Sequence, residues 1–232
     1  MNALWLNRIS SYKHSAYCIK SVKRLIEFKI EKQGKLLKRY KKIAFVSNMI
    51  HVISIQDILL EEARAAKYFW RHFRNLLPAE TDFKGRIPHA EDITNRLLDI
   101  GYHHLTNKIK SILEDRAVSP AIGLLHNARS TKSAPLAYDL VEMFRSDVVD
   151  AEVLRFLRLK KKMPISFKQK DVVRFLGEIN ERSLRKFYVK GFGTCQTYEY
   201  YMELQILRFI KAVNHNTIFE PLYVPTRHED RC

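Results

Sequence analysis

The fold is decided by residues 134–159, which read APLAYDLVEMFRSDVVDAEVLRFLRL. Apolar residues recur through this stretch at helical spacing, and a break around Pro120 precedes it, so it predicts a helix over its whole length. Asp139 and Glu142 stand three positions apart, which places both carboxylates on one face of that helix. Such a pair either holds a divalent cation or is ordinary surface charge, and spacing alone leaves both interpretations open.

Other stretches of the chain also have helical periodicity, with loops between them. They predict helices over residues 12–42, 53–76, 93–113 and 169–213, the last interrupted near Gly191 and Gly193. The loops fall at 78–92 and 119–133. Because the chain has only seven Gly and seven Pro and few alternating β-branched runs, we expect few strands and an all-α helical bundle. The division that we predict is a short leader at 1–12, a helical domain at 13–220 and an extended tail at 221–232.

The charge of the chain indicates its partner. With 41 Lys and Arg against 25 Asp and Glu, the formal charge is +16, which favours binding to nucleic acid. The predicted first helix is basic along much of its surface, and it either faces phosphate or is a solvated helix face. No apolar run is long enough to cross a membrane, and we find no secretion signal, so we expect an intracellular, cytoplasmic protein without a membrane partner.

Three groups of side chains are candidates for chemistry. Glu62 lies beside small residues that let a neighbouring helix approach, and His126 stands at the edge of a loop. Together with Asp139 and Glu142 they form the oxygen-rich, nitrogen-assisted set that suits Mg²⁺ or Mn²⁺. A bound ion would polarise a phosphodiester. Taken singly, a glutamate such as Glu62 is more often part of an exposed helix face, and a lone histidine such as His126 is usually structural.

In order along the chain, several motifs resemble those of the CRISPR adaptation integrase family. The resemblance covers residues 12–159 well and the remainder more loosely, and its most specific part is the last two motifs. They are KIEKQ at 29–33, EARAAKYFW at 62–70, FKGR at 83–86, NRLLDIGY at 95–102, SPAIGLLH at 119–126 and PLAYDLVEMFRSDVVD at 135–150.

This resemblance implies a helical catalytic domain with a metal site. In it Glu62, His126 and Glu142 would bind Mg²⁺ or Mn²⁺, and Asp139 would be an accessory carboxylate of the catalytic set. The implied reaction is attack by the 3′-hydroxyl of a captured DNA fragment on a phosphodiester of the repeat array. Cleavage of branched DNA is the related reaction of the family.

Two departures from the family pattern affect this expectation. Members of the family begin with a β-rich domain, whereas here only about a dozen residues precede the first matching helix, so we expect a short form without that domain. The loop at 86–94 lacks the paired prolines that the family tends to show. The short form puts in question both the usual dimer and the docking of the small ferredoxin-like partner of adaptation.

The expected partners are double-stranded DNA, as spacer precursor and repeat array, and further copies of the chain in a dimer or tetramer. The basic residues that we expect to meet phosphate are Arg64, Lys67, Arg129, Lys132 and Arg145, with Arg155, Arg158 and residues 160–162 beyond them. Two alternatives stay open. One is a mobile-element integrase with the same catalytic domain, and the other is a non-catalytic DNA-binding scaffold.

Overall fold

The computed structural model describes residues 3–41, 54–128, 130, 133–159, 168–189 and 194–222. This part of the chain is dominated by α-helices, and the predicted all-α class is confirmed. The helices are α1 Ala3–Lys13, α2 Ala16–Lys41, α3 Ile55–Arg74, α4 Ile93–Glu114, α5 Pro135–Val141, α6 Ala151–Leu159, α7 Gln169–Leu184 and α8 Tyr198–His215. A π-helical segment, Ser146–Asp150, lies between α5 and α6.

Helix α4 is the centre of the bundle. Its buried side chains include Leu97, Leu98, Leu105 and Ile109, and it packs against α5, α7, α8 and the π-helical segment. Helix α2 packs along α3 and also contacts the π-helical segment. The helices that carry the candidate residues therefore meet around α4 and α2.

Local sequence explains where two central helices begin. Ser54 caps α3: its hydroxyl accepts a hydrogen bond from the backbone N of Asp57 at 3.1 Å, and Asp57 Oδ2 accepts one from the backbone N of Ser54 at 3.0 Å. Asp92 caps α4 by accepting from the backbone N of Asn95 at 2.9 Å. The predicted starts near residues 53 and 93 lie within two positions of these caps.

The chain start differs from the interpretation of residues 1–12 as a leader. Ala3–Lys13 form α1, which buries Trp5, Ile9 and Tyr12 and contacts α2 and α8. These three side chains recur at spacings of four and three, which is the period of a helix with one buried face. The tail predicted at 221–232 lies outside the described residues beyond Leu222.

The described residues include two short strands inside the region predicted as helix over 169–213, which is consistent with the expectation of few strands. Lys186–Val189 (β1) and Thr194–Thr197 (β2) pair antiparallel between α7 and α8. The helix predicted over 134–159 is also more varied than its periodicity suggests, because it divides into α5, the π-helical segment and α6. Among the described helices, none combines the length and the apolar character needed to cross a membrane.

Candidate active site

Glu142 is the buried carboxylate at the centre of the candidate site. It follows the last residue of α5, where the chain leaves α-helical geometry before the π-helical segment, a kind of helix irregularity that is frequent at functional sites. Its Oε1 pairs with Arg145, and its Oε2 lies 2.7 Å from Lys29 Nζ without the alignment of a hydrogen bond. Burial alone would raise the pKa of Glu142, but Arg145 and Lys29 together hold it below its ordinary value.

Lys29 joins Glu142 to Glu62. It lies in the middle of α2 with only 9% of its surface exposed, and its ammonium group contacts Glu62 Oε1 on α3 as well as Glu142. Burial alone would lower the pKa of Lys29, but the two carboxylates outweigh burial and raise it. The carboxylates of Glu62 and Glu142 therefore converge on one point, which a cation occupies.

Asp139 fixes the loop that precedes α5. This fully buried carboxylate accepts hydrogen bonds from the backbone N of Leu124 at 2.5 Å, of Leu125 at 3.1 Å and of His126 at 3.1 Å. The loop approaches so closely that a Cβ on Gly123 would lie 2.7 Å from Asp139 Oδ2 and 2.6 Å from the carbonyl oxygen of His126. Glycine is therefore required at position 123 for this loop to reach Asp139.

The imidazole of His126 is oriented by the same carboxylate. Its Nδ1 lies 2.7 Å from Asp139 Oδ1, and this hydrogen bond is the main cause of its raised pKa. With Nδ1 donating to Asp139, Nε2 is the ring nitrogen left to bind a metal or to accept a proton. The side chain is half-exposed, and it lies near enough to Glu142 for each of the two groups to shift the pKa of the other.

A cavity of about 290 Å³ opens beside Glu142. Its wall contains Tyr102, whose hydroxyl donates to Asp150 Oδ1 at 2.5 Å and whose ring lies 4.4 Å from the guanidinium carbon of Arg145 and 5.4 Å from that of Arg86. Burial raises the pKa of Asp150 to about 6. The Oε1 of Gln33, also in the wall, is buried and has no hydrogen-bond partner in the part of the chain that the structure describes.

The structure brings together the four residues of the predicted catalytic set, as two linked pairs. Glu62 and Glu142 share Lys29, and His126 is bonded to Asp139. In the described part of the chain, no three His, Cys, Asp or Glu side chains lie close enough together to hold a metal ion. With Lys29 between the carboxylates, a three-ligand site would require this lysine to move.

The residues predicted to contact phosphate differ in their exposure to solvent. Arg64 and Lys67 are exposed on α3, whereas Arg145 is mostly covered and pairs with Glu142 inside the site. Arg129, Lys132 and residues 160–162 lie outside the described residues. Sequence analysis gave no role to Lys29, Arg86, Tyr102 or Asp150, although each lies within one of the motifs that carry the family resemblance.

Comparison with known proteins identifies relatives of this chain. The family model described as CRISPR associated protein Cas1 matches residues 2–190. The curated CRISPR-associated endonuclease Cas1 1 of Saccharolobus solfataricus is 29% identical over 169 residues, which are 67% of this chain and 47% of that protein. The chain thus spans about half the length of this relative.

Two solved structures share the fold. One is a casposase bound to an integration product, with a TM-score of 0.81 and 22% identity. The match covers 98% of this chain and 71% of the casposase chain. The other is a chain of a Cas6-RT-Cas1–Cas2 complex, with a TM-score of 0.79 and 15% identity. The match covers 96% of this chain and 27% of that chain. At these identities the similarity establishes the fold alone.

Proposed function

The chain belongs to the Cas1 family of CRISPR-associated proteins, and on this basis we propose that it is a DNA integrase and endonuclease that inserts spacer DNA into a CRISPR repeat array. The observation that carries the proposal is the convergence of Glu62 and Glu142, from two helices, on one cation beside the His126–Asp139 pair. Carboxylates of like charge are costly to hold together in a partly buried site, so a pair arranged in this way points to cation-dependent chemistry.

The donor set fits a divalent metal ion. Glu62, Glu142 and the Nε2 of His126 supply the oxygens and the imidazole nitrogen that Mg²⁺ or Mn²⁺ accept, and Glu142 Oε2 is a buried oxygen with no aligned hydrogen-bond donor. A bound ion would act as a Lewis acid toward a phosphodiester oxygen. Asp139 would keep His126 in the required tautomer and orientation, as partners behind a metal ligand commonly do.

The proposed reaction is a transesterification. The 3′ oxygen of the incoming DNA forms a bond to a phosphorus of the repeat strand. The bond between that phosphorus and the 3′ oxygen of the preceding repeat nucleotide breaks. The attacking hydroxyl loses a proton and the departing oxygen gains one, so one phosphodiester replaces another without an energy source. With water as the attacking group, the same site would cleave DNA, as expected of an endonuclease.

The partners that we propose are double-stranded DNA and further copies of the chain. Joining both ends of a fragment requires two active sites, which a dimer or tetramer supplies. The protein named Cas2 in the similar complex is the candidate for the small adaptation partner. The high positive charge of the chain supports the choice of DNA.

An integration assay tests the proposal. The protein is incubated with short duplexes that have free 3′-hydroxyls and with a supercoiled plasmid that carries a repeat array, in Mn²⁺, Mg²⁺ or EDTA. We expect metal-dependent joining at repeat boundaries, reduced at least a hundredfold by Glu62→Gln or Glu142→Gln, on the order of the loss when one essential stabilising group is removed. Glu61→Gln is the matched control, because Glu61 is the neighbouring carboxylate and pairs with Arg64 outside the site.

The two alternatives predict other outcomes of this assay. A mobile-element integrase, which the fold shared with the casposase supports, would join duplexes that carry terminal inverted repeats in preference to the repeat array. A non-catalytic scaffold would bind DNA without joining it under every metal condition. Equal joining by Glu142→Gln and the unchanged protein would show that the site assignment is wrong.

A further inference from the structure

Lys29 occupies the place where a cation shared by Glu62 and Glu142 would bind. Its ammonium group contacts both carboxylates, and it is buried in the packed contact between α2 and α3. Two cations cannot share this point, because like charges a few ångströms apart repel strongly where little water screens them. A divalent ion can therefore bind between the carboxylates only if the ammonium group of Lys29 leaves.

Gln33 offers the ammonium group a second position. It stands four residues after Lys29 on α2, so the two side chains are neighbours on one helix face. Gln33 is only 4% exposed, and among the described residues its Oε1 has no hydrogen-bond partner. Both side chains line the same cavity of about 290 Å³, which gives a lysine with its flexible stem room to turn.

Arg145, the other cation at Glu142, has no comparable freedom. Its guanidinium group is fixed between Glu142 Oε1 and the face of Tyr102, at 4.4 Å from the ring centre. Moving an arginine that is held by a ring contact and an ion pair costs more interaction free energy than moving a lysine that finds a new acceptor. Of the two cations, Lys29 is therefore the one that can move away from Glu142.

We propose that Lys29 is an internal counter-cation with two positions: it neutralises Glu62 and Glu142 when no metal is bound, and it turns to Gln33 when a divalent ion takes its place. The proposal rests on the proposed function, since it assumes that these carboxylates bind metal. Lys29 is then a positioning residue that sets the affinity of the site for metal. Gln33 makes the displaced state favourable by supplying its acceptor.

The test measures binding of Mn²⁺ alone, by calorimetry and by the electron paramagnetic resonance of free Mn²⁺, without DNA. Lys29→Met removes the competing charge and is expected to tighten Mn²⁺ binding about tenfold, within the usual range of coupling between two bound groups. Gln33→Leu removes the second position and is expected to weaken binding several-fold. In the Lys29→Met background, Gln33→Leu is expected to leave Mn²⁺ affinity unchanged, because that variant has no ammonium group for Gln33 to bind.

Three variants keep the test decisive. Lys29→Gln supplies a second neutral side chain in case Lys29→Met does not fold, and Gln33→Leu tests the second position in a protein that keeps Lys29. Glu142→Gln reports on the site itself and should abolish Mn²⁺ binding. Circular dichroism melts in EDTA show which variants are folded.

The outcomes separate the two proposals. If Glu142→Gln loses Mn²⁺ but the neutral variants of Lys29 bind it no more tightly than the unchanged protein, the role of Lys29 is refuted and the metal site stands. The role of Lys29 is refuted in the same way if Gln33→Leu weakens binding equally with and without Lys29. If Glu142→Gln binds Mn²⁺ as the unchanged protein does, both the metal site and the counter-cation are wrong.

Discussion

Asp150 is a buried acid whose ionisation should be visible in the stability of the fold. Burial raises its pKa to about 6 from an ordinary value of 3.8, even though Tyr102 and Ser146 donate hydrogen bonds to it and Arg145 lies nearby. The unfolded chain releases this proton at lower pH than the folded chain does. The contribution of Asp150 to stability is therefore complete below pH 4 and is lost as the pH rises toward and through 6.

Asp150→Asn should remove this loss. Relative to the variant, the unchanged protein should lose about 2 kcal/mol of unfolding free energy between pH 4 and pH 7, most of the equivalent of the pKa difference. Urea unfolding across this pH range measures the difference. Asp115→Asn, at an exposed position after α4, is the matched control and should give a curve parallel to that of the unchanged protein. A parallel curve for Asp150→Asn would show that Asp150 ionises at an ordinary pH.

The sequence did contain a signal for Lys29 and Gln33, although sequence analysis missed it. In α2 the buried residues Val22, Ile26 and Leu37 form an apolar stripe, and Lys29 and Gln33 stand on the same stripe at helical spacing. Polar residues at core positions need a partner or a function. They were not distinguished because the helix has many other lysines and arginines, and charge counts do not separate buried from exposed cations.

At the scale of elements, the contact between α4 and the π-helical segment depends on one glycine. A Cβ on Gly101 of α4 would lie 2.5 Å from Val149 Cγ1 and 3.3 Å from Ile179 Cδ1. The segment that contains Val149 also carries Asp150 and follows Glu142. The close approach at Gly101 therefore helps to set the position of the site relative to α4.

Gly101→Ala should destabilise the fold by about 1–3 kcal/mol, the usual cost of forcing extra volume into a packed core. Gly177→Ala is the matched control: a Cβ there meets no described residue within 4 Å, so alanine in α7 should instead stabilise the protein by roughly 0.5–1 kcal/mol. Urea unfolding of both variants measures the two effects. Stabilisation by Gly101→Ala would contradict the close contact between α4 and Val149.

Helix periodicity predicted the elements with long apolar stripes and failed where the local pattern was short. Helices α3 and α4 begin at capped positions close to the predicted ones, because Ser54 and Asp92 are good N-caps. The strands β1 and β2 have four residues each, too few for an alternating pattern to stand out. The π-helical segment keeps the apolar spacing of a helix, so periodicity could not separate it from α5 and α6.

At the scale of the whole molecule, the site could not be found from periodicity or charge. Glu62, His126 and Glu142 come from α3, a loop and the end of α5, and nothing in local spacing brings them together. The resemblance to a known family did identify them, and that resemblance is confirmed by the family match. Their role as metal ligands and catalytic residues stays a prediction, because it concerns chemistry that the fold alone does not decide.

The overall charge predicts that DNA binding and catalysis are separable. The formal charge of the chain is +16, with an excess of ten positive charges in residues 8–42 alone, whereas the site holds paired acidic and basic groups. Glu62→Gln should therefore leave the affinity for duplex DNA and its salt dependence unchanged. Lys67→Ala, at an exposed position on the same helix, should weaken binding and reduce the slope of log affinity against log salt by about one.

Electrophoretic mobility shifts or fluorescence anisotropy at several salt concentrations measure both quantities. Lys170→Ala is the control for charge alone, since Lys170 is also exposed but lies on α7, which contributes no side chain to the cavity beside Glu142. If DNA follows α3 into the site, Lys67→Ala has the larger effect, because counter-ions are released only where phosphate meets the protein. Equal effects of the two lysine variants would mean that DNA is held by diffuse charge, and a loss of binding in Glu62→Gln would mean that the site itself anchors the duplex.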